Sequence, residues 1–355
     1  MRYLLLILTW SWFVGAAAQV KYYSADAFTL LGKASALTET RYERLPAKLH
    51  EVSRPRLWHL GKNTAGLAIR FTSNSSSISL KWESLNGFHM AHMTDVCAKG
   101  LDLYCFSDGR WKFVNSALPQ AKQTEYKVVE NMESQERDFM LYLPLYDGIK
   151  SLQIGIDSLS YIRKSEKGSF ENKQPIVFYG TSILQGGCAS RPGMAFTNIL
   201  SRWLGRECIN LGFSGNAFLD FEIAELMSDV DSVAAFVLDF VPNVTIEQME
   251  EKMEKFYTII RSKHPKTPVL FVEDPMFTLT DYDQKMDKKV RGLNEKIGEI
   301  FKRLSQKGEK NIYYVSSEKL IGEDREGTVD GIHFTDLGMM RYAELMYPIL
   351  KKKIK

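Results

Sequence analysis

Two patterns of apolar and polar positions divide the chain. From about residue 25 to 165 the apolar residues fall in short alternating runs, such as GLAIRFTS, SISLKW, FMLYLPLY and LQIGI. Clusters of turn-forming residues (GKN, NSSS, SDGR and YDG) separate them. Alternation with period two sends successive side chains to opposite faces of a strand. Runs this closely spaced, with almost no helical stretch, predict an antiparallel β-sandwich of jelly-roll type. Residues 163–175, RKSEKGSFENKQP, are polar and make a linker.

Beyond residue 175 the pattern changes. PIVFYG (175–180), CINLG (208–212), AAFVLDF (234–240), PVLFVED (268–274) and IYYVS (312–316) are continuous apolar runs, which predict strands buried on both faces. AFTNILSRWLG (195–205) and stretches near 218–228, 245–263, 281–307 and 335–350 have helical period. Strands alternating with helices predict an α/β fold, a three-layer, doubly wound, five-stranded parallel sheet. At the other end of the chain, Arg2 precedes an apolar run from Tyr3 to Gly15 that is short for a membrane span. Ala16-Ala17-Ala18 then supplies the small residues of a leader-peptidase site. The expected organisation is a signal peptide (1–18), a sandwich domain (19–168) and an α/β domain (169–355). The mature protein is expected to be exported, periplasmic or extracellular, without stable membrane insertion.

Composition narrows the function. Apolar residues make up 45% and charged residues 25% of the 355, and the net charge is +3. No basic stripe occurs apart from the terminal KKKIK, so no nucleic-acid partner is expected. Four cysteines in a chain this long do not make a disulfide framework. Cys97 with Cys105, and Cys188 with Cys208, are either facing pairs or small buried hydrophobes. No CxxC and no zinc-type Cys/His grouping occurs, and His89 and His92 read as structural, so no metal site is expected.

In a doubly wound sheet, ligands bind outside the carboxyl ends of the strands. Gly180-Thr181-Ser182-Ile183 follows the first strand of this half, and places a hydroxyl and a backbone N–H at the mouth of the sheet. Asn210-Leu211-Gly212-Phe213-Ser214-Gly215-Asn216 covers the second strand and its turn, where Gly215 lets an N–H approach a ligand closely. Asn243 follows the third strand, Glu273 the fourth, and Asp330-Gly331-Ile332-His333 the fifth. Each has a bland reading: Ser182 or Asn243 as a helix cap, Glu273 as a cap of the next segment. Together they make the set that ester cleavage requires. That set is a hydroxyl nucleophile, an imidazole base, a carboxylate to orient it, and donors for the oxyanion. Ser214 is a competing nucleophile, but Asn216 stands where a nucleophile elbow needs its last Gly.

These four blocks, in this order, resemble the SGNH or GDSL hydrolase superfamily. The resemblance assigns Ser182 as nucleophile, His333 as base and Asp330 as its orienting acid. It makes an oxyanion hole of the Ser182 and Gly215 N–H groups and the Asn243 amide. Thr181 stands where the family has Asp beside the nucleophile, and Val241-Pro242-Asn243-Val244 replaces the usual Gly-x-Asn-Asp. Thr181 and Glu273 are further candidates for substrate contacts. Upstream, Gly100-Leu101-Asp102-Leu103-Tyr104 resembles the GxDLY domain that precedes one subgroup of these hydrolases. The resemblance implies a secreted serine esterase, with no metal or organic cofactor, that removes acetyl or other short acyl groups from carbohydrate esters. The alternatives are a lipid acylhydrolase of the same fold and a non-catalytic carbohydrate-binding protein.

Overall fold

The computed structural model describes residues 19–87, 89–166, 170 and 173–354. The signal peptide expected at 1–18 lies outside the described residues, as does part of the expected linker. The N-terminal half is built from β1 (Val20–Ser24), β2 (Thr29–Leu31), β3 (Ala68–Ser73), β4 (Ile78–Ser84), β5 (Leu101–Ser107), β6 (Arg110–Ala117), β7 (Gln123–Val129), β8 (Arg137–Tyr142), β9 (Ile149–Asp157) and β10 (Ile162–Lys164). They form two antiparallel sheets, β1-β9-β4-β7 and β10-β3-β8-β5-β6, with β2 beside β3. Alternate residues of the facing strands fill one core: Ile69 and Phe71, Leu80 and Trp82, Leu101 and Leu103, Phe139 and Leu141, Ile154 and Ile156. This is the packing that period two requires of a sandwich.

The C-terminal half carries β11 (Ile176–Gly180), β12 (Cys208–Gly212), β13 (Ala235–Asp239), β14 (Val269–Val272) and β15 (Ile312–Val315). All pair in parallel, in the order β12-β11-β13-β14-β15. The chain runs outward from β11 to one neighbour and then crosses to the other. That leaves a crevice at the carboxyl end of β11, the topological switch point where such sheets bind ligands. Apolar clusters cover both faces, so this half is a three-layer α/β fold. Among the described residues, no helix is long and apolar enough to cross a membrane.

The sandwich half is less purely β than the alternation predicts. Helices α1 (Pro55–Gly61) and α2 (Asp95–Lys99) interrupt it. Each is under two turns long, too short to impose a helical period on the sequence. The segment around α1 does not pack in the sandwich at all. Leu45, Leu49, Leu57, Trp58 and Leu60 join Ile209, Leu211 and Phe213 in the core of the parallel sheet. Arg44, 1% exposed, seals this contact. Its guanidinium donates to the carbonyls of Asn63, Leu60, Asn210 and Gly212 at 2.7–3.0 Å.

A second seam uses Asp102, which is fully buried. Its carboxylate accepts from Ser116 Oγ (2.7 Å), Arg191 Nη1 (2.8 Å) and Gly193 N (2.7 Å). The acid of the GxDLY motif therefore ties the sandwich to the loop after the first strand of the α/β half.

Beneath the carboxyl edge of the sheet, Asp239 and Asp274 are also buried. Burial pushes the Asp239 carboxyl up to about 7, and pushes Asp274 well above the carboxylate range. A carboxyl raised above its unfolded value holds its proton more tightly when folded. Its stabilising effect is complete at low pH and fades as pH rises. The stabilising contribution of Asp239 should therefore fade between about pH 4 and pH 7, so wild type should lose melting temperature relative to Asp239→Asn across that window. Calorimetry on both proteins across the range checks the difference.

Candidate active site

The crevice at β11 is organised by a helix of one turn. α3 (Ser182–Gln185) starts directly after Gly180-Thr181, with the Thr181 hydroxyl accepting from Ile183 N at 3.3 Å. Ser182 is thereby fixed at the first helical position, 8% exposed. Its Oγ lies 3.0 Å from His333 Nε2, and His333 Nδ1 lies 2.8 Å from Asp330 Oδ2. The other Asp330 oxygen accepts from the backbone N–H of His333 (2.8 Å) and Ile332 (3.1 Å). Burial acts to raise the Asp330 carboxyl, but these N–H groups and the His333 ring hold it below its ordinary value. The loop that bears the dyad is closed by a bridge between Thr328 and Phe334 and by Val329 N donating to His333 O at 2.8 Å. Buried Phe334 anchors it just before α8 (Asp336–Lys353), the last of the helices α4 (Phe196–Leu204), α5 (Phe221–Ser228), α6 (Ile246–Lys263) and α7 (Gln284–Gln306) that follow α3.

The turn after β12 supplies the second element. Gly215 has φ +63°, and a side-chain carbon placed there would meet nothing within 4 Å, so its backbone borders open space. Neighbouring residues secure the turn from several sides. Phe213 N donates to Gly180 O, Ser214 N to Gln185 Oε1 and Asn216 Nδ2 to Ser214 O, each at 2.9 Å. Arg54, from the N-terminal half, holds Asn216 through its side chain and its carbonyl, both at 2.9 Å, and grips Asp220 with two nitrogens. Asn243 does not cap α6: Thr245 does so, in a capping box with Gln248. The Asn243 side-chain oxygen instead accepts from Ala217 N at 3.2 Å, which leaves the Nδ2 end of the amide to donate elsewhere.

Ser182, His333 and Asp330 thus form one hydrogen-bonded chain, Gly215 sits on a turn fastened to the same short helix through Gln185, and Asn243, after β13, is joined to that turn through Ala217. Ser214 takes no part, because the imidazole is directed at Ser182. Two expectations need correction. Thr181 is 1% exposed and caps α3, so it is a support for Ser182 and not a substrate contact. Glu273 is engaged by Tyr314 Oη (2.6 Å), Ser317 N (2.8 Å) and Ser317 Oγ (2.9 Å). It lines a separate cleft of about 810 Å³, with Met276, Arg291, Asn294 and Tyr314, and none of Ser182, His333 and Asp330 lines that cleft. All four cysteines are free thiols, so neither facing pair is bridged.

Sequence reasoning passed over three residues at the site. Gln185 is fully buried and spans from Ser214 N to Leu145 O (2.9 Å). Its spacing of three from Ser182 is the one hint of a shared helix face. Tyr146 donates its hydroxyl to Ser182 O at 3.0 Å. His92 brings its ring centroid to 5.5 Å from that of His333.

The GDSL-like lipase/acylhydrolase family matches residues 173–351, and GxDLY, described as the N-terminus of the SGNH-hydrolase-type esterases, matches residues 20–162. A solved structure of a GDSL-like lipase from Bacteroides ovatus ATCC 8483 is 40% identical, covers 95% of this chain and 99% of its own, and superposes with a TM-score of 0.91. The salicylyl-acyltransferase SsfX3 of a tetracycline biosynthetic pathway is 18% identical, with coverage of 95% and 98% and a TM-score of 0.77. An acetyl xylan esterase from the rumen bacterium Butyrivibrio proteoclasticus is 12% identical, with coverage of 94% and 99% and a TM-score of 0.57. These last two show the shared fold alone. No curated protein sequence matches the chain.

Gln185→Leu keeps the side-chain volume but leaves Ser214 N and Leu145 O without their buried partner, at a cost of about 1–3 kcal/mol each. Activity on p-nitrophenyl acetate should fall roughly tenfold or more, as expected when positioned groups shift by about 1 Å. Circular dichroism should show the secondary structure retained.

Proposed function

The chain belongs to the GDSL-like lipase/acylhydrolase family and is an ester-bond hydrolase. On that premise we propose that it is an exported serine esterase that removes acetyl or other short acyl groups from carbohydrate esters. The observation that carries the mechanism is the hydrogen-bonded chain Ser182–His333–Asp330, at 3.0 and 2.8 Å.

In this reading, Ser182 Oγ attacks the ester carbonyl while His333 Nε2 takes its proton. Asp330 holds Nδ1–H, fixes the tautomer and stabilises the imidazolium. The N–H groups of Ser182 and Gly215 and the Asn243 Nδ2 surround the oxyanion. One such donor is worth about 3–4 kcal/mol when removed. The alcohol leaves with the proton from His333, and water then cleaves the acyl-enzyme through the same base.

The carbohydrate side of the proposal draws on the structures this fold resembles. They include the acetyl xylan esterase and a family two carbohydrate esterase from Clostridium thermocellum in complex with cellohexaose. It also draws on access: the His333 and Asp330 side chains are 22% and 38% exposed, so a large alcohol can project into solvent. Export rests on the leader pattern of residues 1–18. The runner-up substrate is a lipid ester, and Leu279 favours it: partly exposed, it packs beside Gly331 in the triad loop.

Ser182→Ala should lower kcat on p-nitrophenyl acetate about a thousandfold or more with the fold intact. His333→Ala should cost more than Asp330→Asn, because backbone contacts also orient the triad loop. Along the p-nitrophenyl series from acetyl to palmitoyl, the rate should collapse beyond butyryl. A rate that rises with chain length would instead give first place to the lipid reading.

A further inference from the structure

Beside the hydrolytic chain, three metal-binding side chains converge. His92 comes from the loop before α2, Cys188 from the turn after α3, and His333 from the triad loop. Each offers one ligand atom, and these atoms lie within 4.8 Å of one another. The two imidazole rings are tilted by 42° with centroids 5.5 Å apart, so they are not stacked face to face. Cys188 has φ +69°, in the left-handed region that non-glycine residues rarely occupy, and only 7% of it is exposed. We propose that His92, Cys188 and His333 form a site for a thiophilic divalent cation, Zn²⁺ being the best match, and that filling it switches the hydrolase off.

The donor set argues for zinc. One thiolate and two imidazoles are ligands Zn²⁺ prefers, with a fourth position left for water or the Ser182 hydroxyl. Bonds of about 2.0–2.3 Å in a tetrahedron put donor atoms about 3.5 Å apart, so the cluster needs to close by roughly 1 Å. His92 is half-buried on a loop, where a side-chain rotation can supply that movement. The support behind the ligands is already present. Asp330 holds His333 Nδ1, as a carboxylate does behind a zinc-bound histidine, and leaves Nε2 as the ligand atom.

Cys188 enters the site as a thiol, and its proton must leave before the sulfur can bind. A divalent cation replaces that proton: a Zn–S bond forms, the S–H bond breaks, and H⁺ leaves to solvent. Inhibition follows from a single lone pair. The Nε2 electrons that would accept the Ser182 proton are the electrons that would bind the metal. Metal binding rests on the cluster alone, and its inhibitory effect rests on the role proposed for His333.

The two parts can be tested apart. Equilibrium dialysis with Zn²⁺, and the thiolate charge-transfer absorption of a Co²⁺ derivative, read the site directly. Both are run on wild type and on Ser182→Ala, whose turnover is expected to be at least about a thousandfold lower. One equivalent of metal per chain is expected in both proteins. Cys188→Ser should abolish the charge-transfer band, and Cys188→Ser and His92→Ala should each weaken binding roughly tenfold or more. Separately, the ratio of p-nitrophenyl acetate hydrolysis with and without Zn²⁺ is compared between wild type and each variant, so that changes in basal rate divide out. Wild type should be inhibited and recover with chelator, and the variants should resist. No stoichiometric binding, or binding unchanged by Cys188→Ser, overturns the site. Normal binding without inhibition of an active enzyme overturns the switch and leaves the site. If wild type hydrolyses no ester at all, the proposed function fails while dialysis and the cobalt spectrum still decide the site.

Discussion

A single helical turn carries Ser182, and one turn cannot hold itself: helix nucleation is unfavourable, and short helices in water are marginal. The places of Ser182 and of the Gly215 turn follow from how α3 is clamped. Its floor is β12, approached so closely that a side-chain carbon at Gly212 would lie 2.3 Å from Gln185 N. On its other side is the sandwich, which reaches it through Tyr146 at Ser182 O and through Leu145 O at Gln185. Gln185 then passes the constraint on to the Gly215 turn. The proposed nucleophile, its helix and the Gly215 turn are thus fastened together between β12 and the loop that joins β8 to β9.

This explains why the N-terminal half is a structural partner of the active site as well as an appended module. Arg44 closes the carbonyl ends of β12 from outside, Arg54 holds Asn216, and Asp102 binds the loop after α3. A buried guanidinium or carboxylate is costly to desolvate and is tolerated only when its hydrogen-bonding groups are met. Four carbonyls meet Arg44, and three donors meet Asp102. Buried charges met by this many partners hold the two halves in one relative position.

The elements most legible in the sequence are those set by local rules. The strands of the parallel sheet are continuous apolar runs because both faces are buried, and β11 and β12 fall within a residue of their expected limits. Ser182, Gly215, Asn243 and His333 could be singled out because each follows such a strand at the ligand end. What stayed hidden depends on contacts across the two halves. Helix α1 is too short to register as a period, and its Trp58 serves the other half's core. Thr181 and Glu273 look like substrate contacts from their places after strands. Tertiary packing turns the first into a buried cap and gives the second to Tyr314 and Ser317. His92 is separated from His333 by most of the chain, and no local pattern could announce that the two rings meet.

The most direct test of the central claim is covalent labelling by a fluorophosphonate, which reacts with an activated serine hydroxyl, followed by peptide mass spectrometry. The account expects one label per chain, on Ser182, and almost none after His333→Ala, because without the base the hydroxyl is an ordinary alcohol. Labelling at Ser214, or labelling of Ser182 that is indifferent to His333, would contradict it.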